Sequence, residues 1–434
     1  MTTLAKMKCL IPFGFVAKYH YCLAWLAALW YHFPANQMIV IGVTGTSGKS
    51  STVQYIYDLL RALNQSVGYT STIGFAINGE YEENKSKMTM LGRFFLSGML
   101  RKMVSSGCHY AVIETSSQGI SQYRHQGINY DLLVFTNLSP EHIEAHGCYI
   151  NYRAAKGKLF SHLAHSPIKI FNGKTLEKIV VLNGDDREAG FFSSFPVKKI
   201  VKFGWGSGQL DIQAQSVGAN ITVNHHPVHW QLPAEFSKKN ALAAVATVTA
   251  LGFPLQEVLV ASEKLGSVPG RFQFIFAGQP FIVIIDYAFE PGALTALFKA
   301  VHSLHPVAII GVHGSAGGGR DLARRKVIGE IAGREERLVV VTNEDPYDDN
   351  PEEIIKDVAA GARAVGKREG VDLKLILDRA SAIKVAIHAA LPGEAVIITG
   401  KGSEPVMAVA NGQKIPWSDA QAALNALADL GYTV

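Results

Sequence analysis

Short apolar runs rich in Val and Ile recur along this chain, and most are followed by a stretch whose apolar residues fall three and four apart. This alternation predicts strands joined by helices, with the strands buried on both faces of a parallel sheet. Residues 39–44 (IVIGVT) form the first such run, and Val53, Ile56, Leu59 and Leu60 carry the helical period after it. Residues 110–115, 132–137 and 179–183 are further strand runs, each ending in polar residues. In an open parallel sheet, ligands bind outside the carboxyl ends of the strands, so Glu114, Thr136, Asn137 and Asn183 fall where a ligand of the first turn would lie. Residues 201–232 carry short alternating runs around Ile212 and Ile221–Val223, which predict a small antiparallel flap, and residues 234–251 an Ala-rich helix. Pro and Gly punctuate the pattern at residues 267–271. A second series of apolar runs follows at 281–286, 307–311, 338–342, 373–377 and 395–399. The expected fold class is α/β. It has a short aromatic helical segment at residues 1–37, a P-loop central domain with a parallel sheet at 38–268, and a smaller Rossmann-like C-terminal domain at 269–434.

The turn after the first strand carries the chemistry. Gly45, Thr46, Ser47, Gly48, Lys49, Ser50 and Ser51 lie between strand and helix. Glycines there let backbone N–H groups converge on phosphate oxygens at a helix N-terminus. Lys49 supplies a point charge for the β/γ end, and a Ser hydroxyl such as Ser50 can ligate Mg²⁺. The spacing is G-T-x-G-K-[ST]-[ST], shorter than the common form, because Val43 stands where its first glycine would be. A bare strand–turn–helix needs neither the lysine nor the hydroxyl pair, so the turn points to ATP.

Composition narrows the rest. The 434 residues suffice for two or three domains with ample core. The net charge of +5 is too small and scattered to argue for nucleic acid, and it suits an anionic substrate. Cys9, Cys22, Cys108 and Cys148 show no metal-ligand spacing and read as reduced, cytosolic thiols. Residues 10–33 are rich in Phe, Tyr, Trp and Leu, but the core run 21–31 is too short for a membrane span, and no small-residue cleavage site follows. A helix packed on the first domain is the preferred reading. Peripheral contact with a membrane interface, through aromatics flanked by Lys, is the alternative.

Further motifs then coincide in order: residues 114–120 (ETSSQGI), 135–142 (FTNLSPEH) with His146 and Gly147, Tyr152–Lys156 (YRAAK) with Leu159 and Phe160, Asn240–Ala244 (NALAA), Pro269–Arg271 (PGR), Asp286–Ala288 (DYA), Gly318–Asp321 (GGRD), Asp378–Arg379 (DR), and Gly400–Gly402 (GKG) with Glu404. Together with the phosphate loop these resemble the Mur ligase family, most closely its MurE type, which adds the third residue of the peptidoglycan stem peptide. The resemblance covers nearly everything after residue 38. It implies a cytoplasmic ATP-dependent ligase that phosphorylates a carboxylate to an acyl phosphate, which an amine then captures. It implies Lys49, Lys156 and His142 as catalytic residues, and Ser50, Glu114, His142 and Lys156 around magnesium, with Lys156 carboxylated by CO₂. Asn240 would contact adenine, and Arg271 and Asp286 would reach phosphate and ribose when the domains close. Thr89, Ser116, Ser117, Asp345, Tyr347, Gly400 and Glu404 would bind a muramoyl-peptide-like substrate and an amino acid.

The chain also departs from the pattern. Its P-loop strand begins near Met38, which predicts no room for the N-terminal domain that grips uridine diphosphate in this type. The substrate then lacks UDP, or is held by the aromatic helix, a partner or the membrane. The MurE motif D-N-P-R appears as Glu344-Asp-Pro-Tyr347, and Tyr347 cannot make the bidentate ionic pair of an arginine. Glu344, Asp345, Asp348 and Asp349 make the loop acidic, which suits an amine-bearing side chain, lysine or diaminopimelate alike. A solvated helix N-cap region is the plainer reading of these acids. Ser403, Phe289 and Gln118 stand where His is usual, and Glu141 replaces Asp. Two rivals share some of these features: a folylpolyglutamate-synthase-like ligase, and a non-catalytic nucleotide-binding subunit. The ETSSQG, GKGSE and DPY loops argue against the first, and the retained Lys49, Glu114, His142 and Lys156 against the second.

Overall fold

The computed structural model describes residues 13–140, 146–206, 208–217, 220–319 and 322–433. The chain divides into two compact units, Met1–Leu232 with Phe236–Leu265, and Pro233–Glu235 with Gly266–Val434.

The first unit is built on an eleven-stranded sheet. Its strands are β1 (Ile39–Thr44), β2 (Val67–Thr70), β3 (Gly74–Ile77), β4 (Glu80–Glu83), β5 (Tyr110–Glu114), β6 (Leu132–Phe135), β9 (Ile179–Asn183), β10 (Lys199–Gly204), β11 (Ile212–Val217), β12 (Asn220–Val223) and β13 (His226–Val228), while β7 (Lys169–Phe171) and β8 (Lys174–Leu176) form a separate hairpin. The order is β13-β12-β11-β10-β9-β6-β1-β5-β2-β3-β4. The strands from β11 to β2 run parallel. From β1 the chain goes out to β2 and returns to β5 on one side, then crosses to β6, β9 and β10 on the other. The order therefore reverses at β1, and its carboxyl end is the switch point where an open α/β sheet forms its crevice.

Register sets what meets there: Val43 lies opposite Glu114, and Thr44 opposite Phe135. Below this edge the core is apolar. Val40, Ile113, Leu133, Phe135 and Leu182 pack with Leu100, Leu159, Phe160 and Phe192. Each such buried side chain stabilises the fold by roughly 1.5–3 kcal/mol.

The predicted flap exists as the antiparallel set β11-β12-β13, but β11 pairs in parallel with β10, so it extends the main sheet. The helix Phe13–Trp30 packs on the helix Arg93–Ser105, in line with the preferred reading of the N-terminal segment. Among the described residues no helix is long and apolar enough to cross a membrane.

At the amino-terminal edge of β6, Asp131 anchors a buried cluster. Its carboxylate accepts from the Val40 N–H at 2.9 Å and pairs with Lys169 Nζ at 2.5 Å and Lys178 Nζ at 3.4 Å. Lys169 also donates to the Ala35 and Met38 carbonyls. Burial pulls the Lys169 ammonium down to about 8 despite Asp131. Asp131→Asn is expected to cost about 2–3 kcal/mol, the lysines limiting the loss by shedding protons. Because the folded-state value lies below the unfolded 10.5, the unfolded chain binds more protons between the two. Stability of this cluster therefore rises with pH through that window, while the deficit of the variant, whose Lys169 lacks the Asp131 charge and loses its proton earlier, shrinks as the pH approaches about 8 from below. Urea melts at neutral and alkaline pH check this.

The second unit holds a six-stranded sheet of β14 (Gln273–Phe274), β15 (Ile282–Asp286), β16 (Ile309–His313), β17 (Leu338–Thr342), β18 (Leu373–Ile376) and β19 (Ala395–Thr399), ordered β14-β15-β19-β16-β17-β18. All but β14 are parallel, as expected for a doubly wound sheet. A hairpin of β20 (Val406–Ala408) and β21 (Lys414–Pro416) follows. Beneath the carboxyl edge, Arg379 is buried in a bidentate pair with Asp419, both contacts 2.8 Å, and donates to the Thr399 carbonyl at 2.7 Å.

Candidate active site

In the first unit the crevice is assembled by close backbone approach. A Cβ on Gly45 would lie 1.9 Å from Thr136 Oγ1. Gly48 has φ +77° and caps the helix Lys49–Ala62, and a Cβ there would lie 2.3 Å from Asn240 Oδ1. Glycine is the residue that fits both constraints. Loop and neighbouring strand end are stitched together. Ser47 N–H donates to Asn137 Oδ1 at 2.9 Å, Asn137 Nδ2 to the Ser47 carbonyl at 3.1 Å, and Thr136 Oγ1 to the same carbonyl at 2.7 Å. Thr46 Oγ1 lies 3.1 Å from Tyr152 Oη and accepts from the Ser139 N–H at 3.0 Å. A loop fixed this way directs the first helical amides outward, where anions bind.

The charged groups converge on the loop from three elements. Lys49 Nζ donates to the Thr46 carbonyl at 2.7 Å. Glu114, at the end of β5, accepts from Ser50 Oγ at 3.1 Å and from the Thr72 N–H at 2.8 Å. Thr72 Oγ1 in turn donates to Thr89 Oγ1 at 3.1 Å, which joins Thr89 to the carboxylate through Thr72. Lys156, buried on the helix Tyr149–His165, donates to the Gly45 carbonyl at 2.7 Å and sits 4.8 Å over the Tyr152 ring. Ser116 caps the short helix Ser117–Ser121, and Ser117 Oγ lies 3.1 Å from His146 Nε2. Burial, then the nearby Lys156, holds His146 below the ordinary histidine range. Ser51 is buried at the start of the helix Lys49–Ala62. His142 lies outside the described residues.

The second unit brings its own candidates to the carboxyl edge of its sheet. Asp286 accepts the Phe272 and Ala288 N–H groups, and burial raises its carboxyl while Arg271 opposes the shift. Arg271 stacks 4.1 Å over Tyr287, whose hydroxyl donates to Glu404. The acidic loop is not the open cluster that its composition suggests. Asp345 is buried, with Lys401 Nζ at 3.0 and 3.1 Å from its two oxygens and the Ala408 N–H at 2.7 Å. Lys401 also reaches Glu404 at 2.6 Å. Asp348 and Asp349 accept backbone N–H groups of Asn411 and Gly318. Glu344 is the exception. It is buried against Gly400, and its Oε2 has no hydrogen-bond partner among the described residues. Burial raises its carboxyl, and Asp345 beside it adds to the shift. Tyr347 occupies φ +51° and packs at Gly318.

Residues 43–248 match the Mur ligase middle domain, and residues 270–402 the Mur ligase, glutamate ligase domain. The UDP-N-acetylmuramyl-tripeptide synthetase of Roseiflexus sp. (strain RS-1) is 38% identical over 426 residues, covering 94% of this chain and 82% of that protein. The chain belongs to the Mur ligase family. The UDP-N-acetylmuramoyl-L-alanyl-D-glutamate–2,6-diaminopimelate ligase of Geobacillus kaustophilus (strain HTA426) is 30% identical over 92% of the chain and 81% of its own length. A solved UDP-N-acetylmuramoyl-L-alanyl-D-glutamate–2,6-diaminopimelate ligase superposes with a TM-score of 0.60 at 27% identity, covering 92% of this chain and 80% of that one. A folylpolyglutamate synthase from Mycobacterium tuberculosis gives 0.66 at 16% identity, a likeness of fold alone.

This Mur ligase is an ATP-dependent ligase, and its family uses ATP and Mg²⁺. The Ser50 hydroxyl and Glu114 carboxylate form the hard-oxygen pair that suits Mg²⁺, which takes few protein oxygens and keeps water and phosphate ligands. Bound there, the ion would neutralise charge on the transferring phosphoryl group. Two partners went unseen in the sequence. Thr72 has no motif to mark it. Lys401 lies inside the GKG motif, but its pairing with Asp345 spans 56 residues.

Proposed function

We propose that this Mur ligase joins the free carboxylate of a muramoyl peptide to the amine of a diamino acid in peptidoglycan precursor synthesis. The observation that carries the chemistry is the convergence of Lys49, Ser50, Glu114 and Lys156 on one glycine-bounded loop. The names of the MurE-type relatives supply the substrate class. A carboxylate oxygen of the acceptor attacks the γ-phosphorus and ADP leaves. The amine then attacks the acyl carbon, inorganic phosphate leaves with that oxygen, and the nitrogen loses a proton. Lys49 and the helix N-terminus hold the phosphates, so that transfer rests on positioning and charge neutralisation.

Lys156 acts as a carbamate that helps hold the second magnesium. In the second unit, Glu344 beside Gly400 forms the subsite for the incoming amine, because Asp345 and Glu404 are both already paired with Lys401. Ser116, Ser117 and Thr89 line the acceptor side, Asn240 the nucleotide side, and Arg271 and Asp286 bind nucleotide. Tyr347 in place of an arginine favours lysine over diaminopimelate. The enzyme works at the membrane periphery, supported by the exposed aromatic side of its N-terminal helix.

Oxygen-18 in the acceptor carboxylate tests the reading. One labelled oxygen is expected in each phosphate released when a muramoyl dipeptide and a diamino acid are both present. Release with folate and glutamate instead, or unlabelled phosphate, overturns it.

A further inference from the structure

The N-terminal helix Phe13–Trp30 buries its small residues and exposes its large ones. Ala24, Ala27 and Ala28 are at most 3% exposed, whereas Trp25, Leu26, Leu29 and Trp30 are 42–70% exposed. Lys18, Cys22, Trp25, Leu26 and Leu29 fall at i, i+4, i+7, i+8 and i+11, one continuous stripe on the outer side of the helix. Tyr19 and Tyr21 on the same helix are exposed as well, 56% and 42%. This is an apolar patch where a water-facing helix would carry charge. The charge pattern says what covers it. No Asp or Glu precedes Asp58; Lys18 opens the stripe, and Lys6 and Lys8 precede it in the sequence.

We propose that this face docks on an anionic lipid bilayer. Trp and Tyr side chains settle at headgroup depth, the aliphatic residues between them enter the acyl boundary, and lysines meet lipid phosphate. An isologous pairing of two copies would instead bring two cationic, acid-free segments together. The docked helix is tied to the cleft: Arg93, which closes the segment carrying Thr89, donates its Nε–H to the His20 carbonyl at 3.1 Å. The proposal gives the membrane-peripheral reading its lipid chemistry, and lipid binding is measured apart from ligation.

The test is sedimentation of the full chain with phosphatidylglycerol–phosphatidylcholine vesicles against pure phosphatidylcholine vesicles, with tryptophan emission recorded alongside. Binding to the anionic vesicles is expected to be at least about tenfold tighter, to weaken with salt, and to shift emission to the blue. Lys18→Gln is expected to weaken it about fivefold, and the triple variant Trp25→Ser, Leu29→Ser, Trp30→Ser more than about tenfold. Ligation of a soluble acceptor by the triple variant is expected to stay at the parent rate, which shows that it folds. Equal binding to both vesicles, unchanged binding of the triple variant, or a dimer that the triple variant dissolves without any vesicle affinity would each overturn the proposal.

Discussion

Glu114→Gln is expected to lower the rate of amide formation about a thousandfold and to raise the magnesium requirement, while leaving the melting temperature within a degree or so of the parent. The separation of the two effects follows from geometry. Glu114 has one oxygen on the Thr72 N–H and the other on Ser50 Oγ. A glutamine keeps an acceptor for Thr72, and its amide can donate to the Ser50 hydroxyl, so the end of β5 stays satisfied. What it loses is the negative charge beside the phosphate loop, the property a hard cation needs. Steady-state ligation over a magnesium titration, together with a thermal melt, makes the check. A loss below tenfold would remove Glu114 from the metal site, and a collapse of the melt would make it a structural residue. Asn137→Ala makes a useful contrast, because it removes two of the bonds that hold the Ser47 peptide. It should weaken ATP binding more than it slows turnover.

Much of this arrangement was legible because burial on both faces leaves a plain mark. The runs that became β1, β5, β6 and β9 are continuous and apolar, and their polar last residues mark the carboxyl edge. The edge of the same sheet was not legible. β4 is fully exposed and reads EYEE, the charged edge strand that resists aggregation and carries no apolar signal. β2 and β3 are four residues each, Gly68 inside the first and Gly74 opening the second. In the second unit the run at 307–311 placed a strand two residues early. Val307 is 80% exposed, and pairing with β17 and β19 fixes the strand at Ile309–His313. The acidic loop misled for a different reason: composition counts charges, but a buried long-range lysine decides which of them are spent. Asp345 is neutralised by Lys401, and Glu344 is the carboxylate left over.

Lys156→Met is expected to reduce ligation about a thousandfold, and the manner of the loss tells a carbamate from an ordinary lysine. The amino group is buried, with the Gly45 carbonyl at 2.7 Å and the Tyr152 ring beneath it. The neutral amine is the form that adds CO₂; the new N–C bond forms as one proton leaves, and the side chain becomes an anion. An anion at that point would sit beside phosphate and is tolerable only with magnesium between them. Three outcomes follow from that charge change. The parent enzyme should lose activity when stripped of CO₂ and recover it with bicarbonate. It should show a carbamate carbon signal with ¹³C-bicarbonate that Lys156→Met lacks. Lys156→Ala should regain activity with short carboxylic acids, which restore a carboxylate in the vacated space. A lysine acting as a cation on phosphate predicts the reverse: indifference to CO₂, no carbon signal, and rescue by small amines instead of acids.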